Sequence, residues 1–200
     1  MIKTLIFDIG GVVVDDRLKE LFTRFANRVN ISAEFFIEYN KIYKDKLLLG
    51  EISLKEFWDV VVKAGADPKL DLQKIWLEEA LQICKLNIEL LELIKKLRKN
   101  YSVGTLTNLS DSRLIIDDAQ NLYDNFDYAV KSCVDHLIKP DPAIYKLALE
   151  RSGFTADEAV FIDDREHFIL AAKELNIHCV HFQNNTQLKK ELVQLGVKLD

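Results

Sequence analysis

Residues 3–8 read Lys-Thr-Leu-Ile-Phe-Asp, and residues 9–12 continue Ile-Gly-Gly-Val. The first run has strand length and is apolar almost throughout, as in a parallel strand covered on both faces. It ends on a carboxylate, Asp8. Gly10 and Gly11 then let the backbone turn sharply and come close to a ligand. Four more strand-length runs follow: residues 102–107 (SVGTLT), 127–132 (DYAVKS), 159–163 (AVFID) and 178–182 (HCVHF). Helical patterns separate them. Asn87 caps a run carrying Leu90, Leu91, Ile94 and Leu97. Ser110 caps one carrying Ile115, Ile116, Ala119 and Leu122, and Asp141-Pro142 opens one carrying Ile144, Leu147 and Ala148. Alternating strands and helices predict an α/β fold, a parallel sheet doubly wound with helices on both faces.

The stretch between the first two strands breaks that alternation. From residue 16 to about 86 no strand is convincing and the apolar period is 3.6. Leu18, Leu21, Phe22, Phe25, Ala26 and Val29 follow it closely. Phe35, Phe36, Tyr39, Ile42 and Tyr43 form a second face. Ser53 to Glu56 is a capping box ahead of Phe57, Trp58, Val61 and Val62, and Ile75, Trp76, Glu79 and Ala80 mark a fourth helix. Such an insert is too long to be a loop. The expected organisation is an α/β catalytic core, residues 1–15 and 87–200, with an all-helical cap, residues 16–86. The aromatic residues of the insert are expected to be mostly cap core.

Composition narrows the class of partner. The 200 residues carry 27 Lys+Arg against 32 Asp+Glu, a net charge of −5, with no basic stripe for nucleic acid. No window is apolar enough for a membrane span. The lysine and apolar run at the N-terminus is interrupted by Asp8 and lacks a small-residue cleavage site, so it does not read as a signal peptide. Cys84, Cys133 and Cys179 are odd in number and form no C-x-x-C pair; they are expected to be buried small residues in a reducing, cytoplasmic compartment. Nothing decides between a monomer and a homodimer.

In open parallel sheets, ligands bind beyond the carboxyl ends of the strands. There stand Asp8, Thr107-Asn108, Lys139-Pro140-Asp141 and Asp163-Asp164. Asp8 with Asp163 or Asp164 supplies hard oxygen ligands suited to magnesium. A carboxylate held beside that ion can attack phosphorus and form an aspartyl-phosphate. Lys139 and Thr107 would hold the transferring oxygens, with Lys139 the larger electrostatic influence.

These residues resemble the signature of the haloacid dehalogenase-like hydrolases. Four stretches match in order: Phe7-Asp8-Ile9-Gly10-Gly11-Val12, Leu106-Thr107-Asn108, Lys139-Pro140-Asp141-Pro142 and Phe161-Ile162-Asp163-Asp164. Gly50-Glu51-Ile52-Ser53 with Phe57-Trp58 is similar to cap segments of the sugar-phosphatase and epoxide-hydrolase N-domain branch. The resemblance implies a Mg2+-dependent phosphatase acting on a small phosphorylated metabolite, with Asp8 as nucleophile. It further implies that Gly10 lends its backbone carbonyl to the metal, that Asp164 binds it directly, and that Asp163 acts through a coordinated water. Gly10, Gly11, Thr107, Asn108 and Lys139 would surround the phosphate.

Two positions depart from that pattern. Family phosphatases usually place an Asp, the general acid, where Gly10 stands, and such a group is worth about 10²–10⁴ in rate. Without it, the enzyme is expected to favour leaving groups that need no protonation, such as acyl, anomeric or aryl phosphates. Asp15 or His167 are candidates to stand in. Phe168 replaces the Asn or Asp common in this branch, and His136 lies where Gly is common. Asp15 and Asp16 otherwise read as hinge or surface residues. The competing readings are a metal-independent dehalogenase-type hydrolase attacking carbon, and a non-catalytic binding member of the family.

Overall fold

The computed structural model describes residues 1–15 and 17–200; Asp16, and any function for it, lies outside the described residues. In chain order the elements begin β1 (Thr4–Phe7), β2 (Val14–Asp15), α1 (Leu18–Arg28), α2 (Ala33–Ile42), α3 (Lys44–Leu48), α4 (Leu54–Lys63), α5 (Leu72–Ile83) and β3 (Lys85–Leu86). They continue α6 (Ile88–Leu97), β4 (Ser102–Thr107), α7 (Asp111–Ala119), β5 (Tyr128–Lys131), α8 (Ser132–Asp135), α9 (Pro142–Ser152), β6 (Ala159–Asp163), α10 (Glu166–Glu174), β7 (His178–His181) and α11 (Asn185–Gln194).

The five longer strands form one parallel sheet in the order β5-β4-β1-β6-β7, with β1 at its centre. Side chains alternate across a strand, so β1 feeds two cores. Leu5 and Phe7 join the layer holding Leu90, Ile94, Ile116, Leu188 and Leu192, while Ile6 faces Ile144, Ala148, Ile169 and Ala172. That two-sided burial explains the unbroken apolar runs. The doubly wound α/β expectation therefore holds, with all five strands within a residue of the predicted bounds. Helices α10 and α11 complete the winding.

Local chemistry sets the helix starts. Asn87, Asp141 and Asn184 accept backbone N–H groups at the first turns of α6, α9 and α11, and Ser53 with Glu56 closes both halves of a capping box on α4. Ser110 stands at the start of α7 as expected, but its hydroxyl pairs with that of Ser112 at 2.9 Å rather than with the backbone.

The helical insert differs from its expectation in three respects. It contains a fifth short helix, α3. It also ends in a strand: β3 pairs antiparallel with β2, Val14 against Leu86 and Asp15 against Lys85. Two residues a side are too few to leave a period-2 signature. Finally, Phe35 and Tyr43 are 45% and 39% exposed rather than core. One face of α2 carries Phe36 inward, and these two fall outside that arc. Phe25, Phe36, Phe57 and Trp76 are 1% exposed or less and pack ring to ring, Phe25 meeting Trp76 edge-on at 5.1 Å. No disulfide joins the cysteines; Cys84 and Cys133 are buried, and Cys179, expected to be buried, is only half so because it lies on the edge strand β7. Among the described residues no helix is long and apolar enough to cross a membrane.

The insert is tied to the sheet layer at defined points. The Trp76 indole N–H donates to the Ser112 carbonyl at 2.7 Å, and His136 Nδ1 donates to the Leu49 carbonyl at 2.7 Å. His136 is thus a loop residue in the left-handed region (φ 55°).

Candidate active site

Strand β1 delivers Asp8 to the carboxyl edge of the sheet between β4 and β6. The Asp8 N–H donates to Ile162 O at 2.9 Å, fixing its height against β6. Behind it the chain turns tightly, and the N–H groups of Val12, Val13 and Val14 all converge on the Ile9 carbonyl. Gly11 sits in that turn with φ +80°, and a Cβ there would lie 2.4 Å from Asp164 Oδ2. Only glycine leaves room for the Asp164 carboxylate.

The second stretch is anchored from below. Ser132 Oγ accepts from Leu109 N at 2.9 Å and donates to Leu109 O at 3.1 Å. Thr107 ends β4 and is buried. The Asn108 amide is engaged at both ends with the Lys139 backbone: its Nδ2 donates to Lys139 O at 3.0 Å and its Oδ1 accepts Lys139 N at 2.8 Å. The Asn108 side chain thereby positions Lys139.

Lys139 is 2% exposed, and its Nζ meets Asp8 Oδ1 at 3.0 Å, Asp163 Oδ2 at 2.7 Å and Leu106 O at 3.1 Å. Three hydrogens find three acceptors. The Phe168 ring centroid lies 4.8 Å from the same Nζ. An aromatic ring thus lies beside the lysine.

Asp8, Asp163 and Asp164 each bring a carboxylate oxygen within 4.8 Å of the others. Burial first, then the charge of Asp8, pushes the Asp163 carboxyl up to about 7, against the lowering pull of Lys139. The same two causes raise Asp164. Their hydrogen bonding differs. Asp163 is engaged at both oxygens, by Lys139 and by Arg165 N at 2.8 Å. Asp164 Oδ1 is buried with no hydrogen-bond partner. An orphaned buried oxygen beside two other carboxylates is what a divalent cation would satisfy. An all-oxygen donor set suits a hard ion such as magnesium.

A cavity of about 630 Å³ opens beside Asp8, bounded by Gly10, Asn108, Lys139 and Phe168 on the sheet side and by Leu18, Phe22, Leu48 and Trp76 of the insert. His167 lines it. Asp15 does not: it faces a separate depression with Gly11 and Lys85, its carboxylate 3.9 Å from Arg17 Nε. As a substitute acid it is therefore misplaced.

Sequence reasoning missed Arg113, which also lines the cavity. It is 8% exposed, and its Nε donates to Asp117 Oδ1 at 2.8 Å, with Tyr123 OH on the other Asp117 oxygen at 2.9 Å. The Arg-Asp spacing of four on one helix was its available signal.

The family model of the haloacid dehalogenase-like hydrolases matches residues 2–176. Pig bifunctional epoxide hydrolase 2 (Sus scrofa) is 26% identical over 219 residues, covering 99% of this chain and 40% of its own. D-ribitol-5-phosphate phosphatase of Bacteroides thetaiotaomicron is 26% identical over 211 residues, covering 96% and 97%. A haloacid dehalogenase family enzyme of B. thetaiotaomicron, solved in complex with magnesium and inorganic phosphate, superposes with a TM-score of 0.74 at 23% identity, covering 94% of this chain and 99% of that one. The chain spans less than half the length of the first curated relatives it matches. Four sequence motifs, one sheet edge where they meet and a family match over most of the length agree: the chain belongs to the haloacid dehalogenase-like hydrolases.

Proposed function

We propose that the protein is a magnesium-dependent phosphatase that hydrolyses a small phosphorylated metabolite through an aspartyl-phosphate on Asp8. The observation that carries this reading is the gathering of Asp8, Asp163, Asp164 and Lys139 at one point, with Asp164 Oδ1 left for a cation. Residues 16–86 act as a cap over the catalytic core formed by residues 1–15 and 87–200.

Asp8 and Asp164 would hold magnesium with the Gly10 carbonyl, and Asp163 would act through a coordinated water. Bound there, the ion offsets the repulsion between the carboxylates and the incoming phosphoryl group. An Asp8 oxygen attacks phosphorus as the bond from phosphorus to the leaving oxygen breaks. Lys139 and Thr107 steady the phosphoryl oxygens, with Gly10, Gly11 and Asn108 around them. Water then attacks phosphorus, the bond from phosphorus to Asp8 breaks and inorganic phosphate departs. Gly10 supplies no side-chain proton, so the leaving group exits most easily as a stable anion.

The test is a panel of phosphorylated metabolites with and without magnesium, using Asp8→Asn as the blank. Hydrolysis that needs both the metal and Asp8 supports the reading. Hydrolysis of a haloacid without metal would replace it with attack on carbon.

A further inference from the structure

The cavity beside Asp8 has two unlike walls. The sheet side carries the acid–lysine cluster with Arg113 and Arg165. On the insert side an apolar patch is formed by Leu18 and Phe22 of α1, Ile37 of α2 and Leu48 of α3, all four only half-buried, while Asn40 and the exposed Lys41, Lys44 and Asp45 also line that side. Apolar surface left uncovered there is available to a ligand, and covering it is favourable. Phe22 is also a fixed surface. Its ring stacks on Trp76 at 5.9 Å with 24° between planes and meets the edge of Phe36 at 5.3 Å.

The neutral polar groups on the walls are largely engaged with the protein itself. Ser110 and Ser112 share a hydroxyl–hydroxyl bond at 2.9 Å, Asn40 Nδ2 donates to Phe36 O at 2.9 Å, and the Trp76 N–H is given to Ser112 O. The Asn108 amide is committed to Lys139. A leaving group rich in hydroxyls would have to compete for these partners; an apolar one would not. The volume of about 630 Å³ exceeds what a phosphoryl group on a two- or three-carbon alcohol fills, and lies inside the roughly 300–1,000 Å³ range of sites that enclose drug-sized ligands.

We propose that the leaving group of the substrate carries an apolar body of one or two rings, seated between Phe22 and Leu48 on one side and Phe168 and Ile138 on the other. This inference rests on the phosphatase reading and names its substrate class. It accords with Gly10, because an aryl-type oxygen leaves without a proton donor. The exposed Lys41 and Lys44 at the cavity mouth serve any polar end of that body.

The experiment separates apolar contact from leaving-group chemistry. Phenyl phosphate and 2-naphthyl phosphate release phenols of nearly equal acidity but differ by one fused ring. With magnesium, the naphthyl ester should show a KM at least about tenfold lower. Calorimetry on the magnesium-loaded protein should show naphthylmethylphosphonate binding at least about tenfold tighter than methylphosphonate. Leu48→Asn, and independently Ile37→Asn, should raise KM for the naphthyl ester more than for the phenyl ester. Equal affinities for the two phosphonates, or glycerol 2-phosphate bound as tightly as the naphthyl ester, would overturn the inference while leaving the phosphatase reading intact. Failure of every ester to show magnesium- and Asp8-dependent turnover would instead remove the phosphatase reading, and this inference with it.

Discussion

Replacing Lys139 with methionine keeps most of the side-chain stem and removes the ammonium. Its Nζ lies 2.7 Å from Asp163, which is fully buried, and 3.0 Å from Asp8, which is 5% exposed. The substitution strands two carboxylates in the interior. Breaking a buried ion pair from one side costs about 3–5 kcal/mol. In a chain of this size each kcal/mol moves the melting temperature by roughly 2–4 °C, so the metal-free variant should melt roughly 6–20 °C lower at pH 8. The pH dependence has a definite sign. The folded state binds the Asp163 proton more tightly than the unfolded chain does, with the carboxyl raised to about 7. That group's contribution to stability therefore falls as pH rises from about 4 toward 7. Lys139 opposes this fall. The penalty of Lys139→Met is thus largest above pH 7 and shrinks in acid, where both proteins hold a protonated carboxyl. Adding Asp163→Asn to Lys139→Met removes one stranded charge and should restore about half of the loss or more. Thermal unfolding followed by circular dichroism in EDTA, at pH 5 and pH 8, reads all three proteins. A variant melting within about 2 °C of the parent at pH 8, a larger penalty at pH 5, or no recovery in the double variant would refute the reasoning.

Gly11→Ala forces a Cβ to within 2.4 Å of Asp164 Oδ2 at a φ of +80°, so calorimetry should show magnesium affinity at least about tenfold weaker; unchanged binding would mean Asp164 is not a ligand. Magnesium at a hundred times its dissociation constant should add about 2.7 kcal/mol, or roughly 5–11 °C, at pH 8. The gain should be smaller at pH 5, because protons compete for the raised Asp163 and Asp164, and Asp164→Asn should remove most of it. Gly10→Asp should raise turnover of alkyl phosphates by about 10²–10⁴ and leave aryl phosphates little changed; a uniform effect would argue that no acid is missing. Trp76→Phe removes the indole bond to the Ser112 carbonyl, which keeps its place in helix α7, and should cost about 0.5–1.5 kcal/mol, read as a lower melting temperature; an unshifted melt would show that this bond does not hold the insert.

Most of the sheet was legible in the sequence because its strands are buried on both faces. A continuous apolar run that ends on Asp8, Thr107 or Asp163 suits a covered parallel strand and little else. The four motifs identified which residues to bring together. They did not reveal how Asn108 is used, since a side chain gripping the backbone of Lys139 depends on two distant loops meeting. Phe168 read as a loss, because nothing in its neighbours along the chain predicts a ring beside an ammonium. The β2–β3 pair was too short to show a period. Asp15 and His167 looked equivalent as substitute acids until the turn after Asp8 directed Asp15 away from the cavity. Arg113 escaped notice because an Arg and an Asp four apart most often face water, and only the third partner, Tyr123, makes theirs an interior network.

The insert departs from the sheet through β2 and comes back through β3. Asn87 clamps the two ends, its N–H on Val13 O at 2.8 Å and its Nδ2 on Val12 O at 3.2 Å. The chain of the insert leaves and re-enters the sheet layer through that single doorway. Lengthening a closed loop raises its entropic cost only logarithmically, so the sheet is nearly indifferent to how much chain passes through. The insert can therefore be traded or reshaped like a removable cartridge, while the acid–lysine cluster on the far side of the threshold stays as it is.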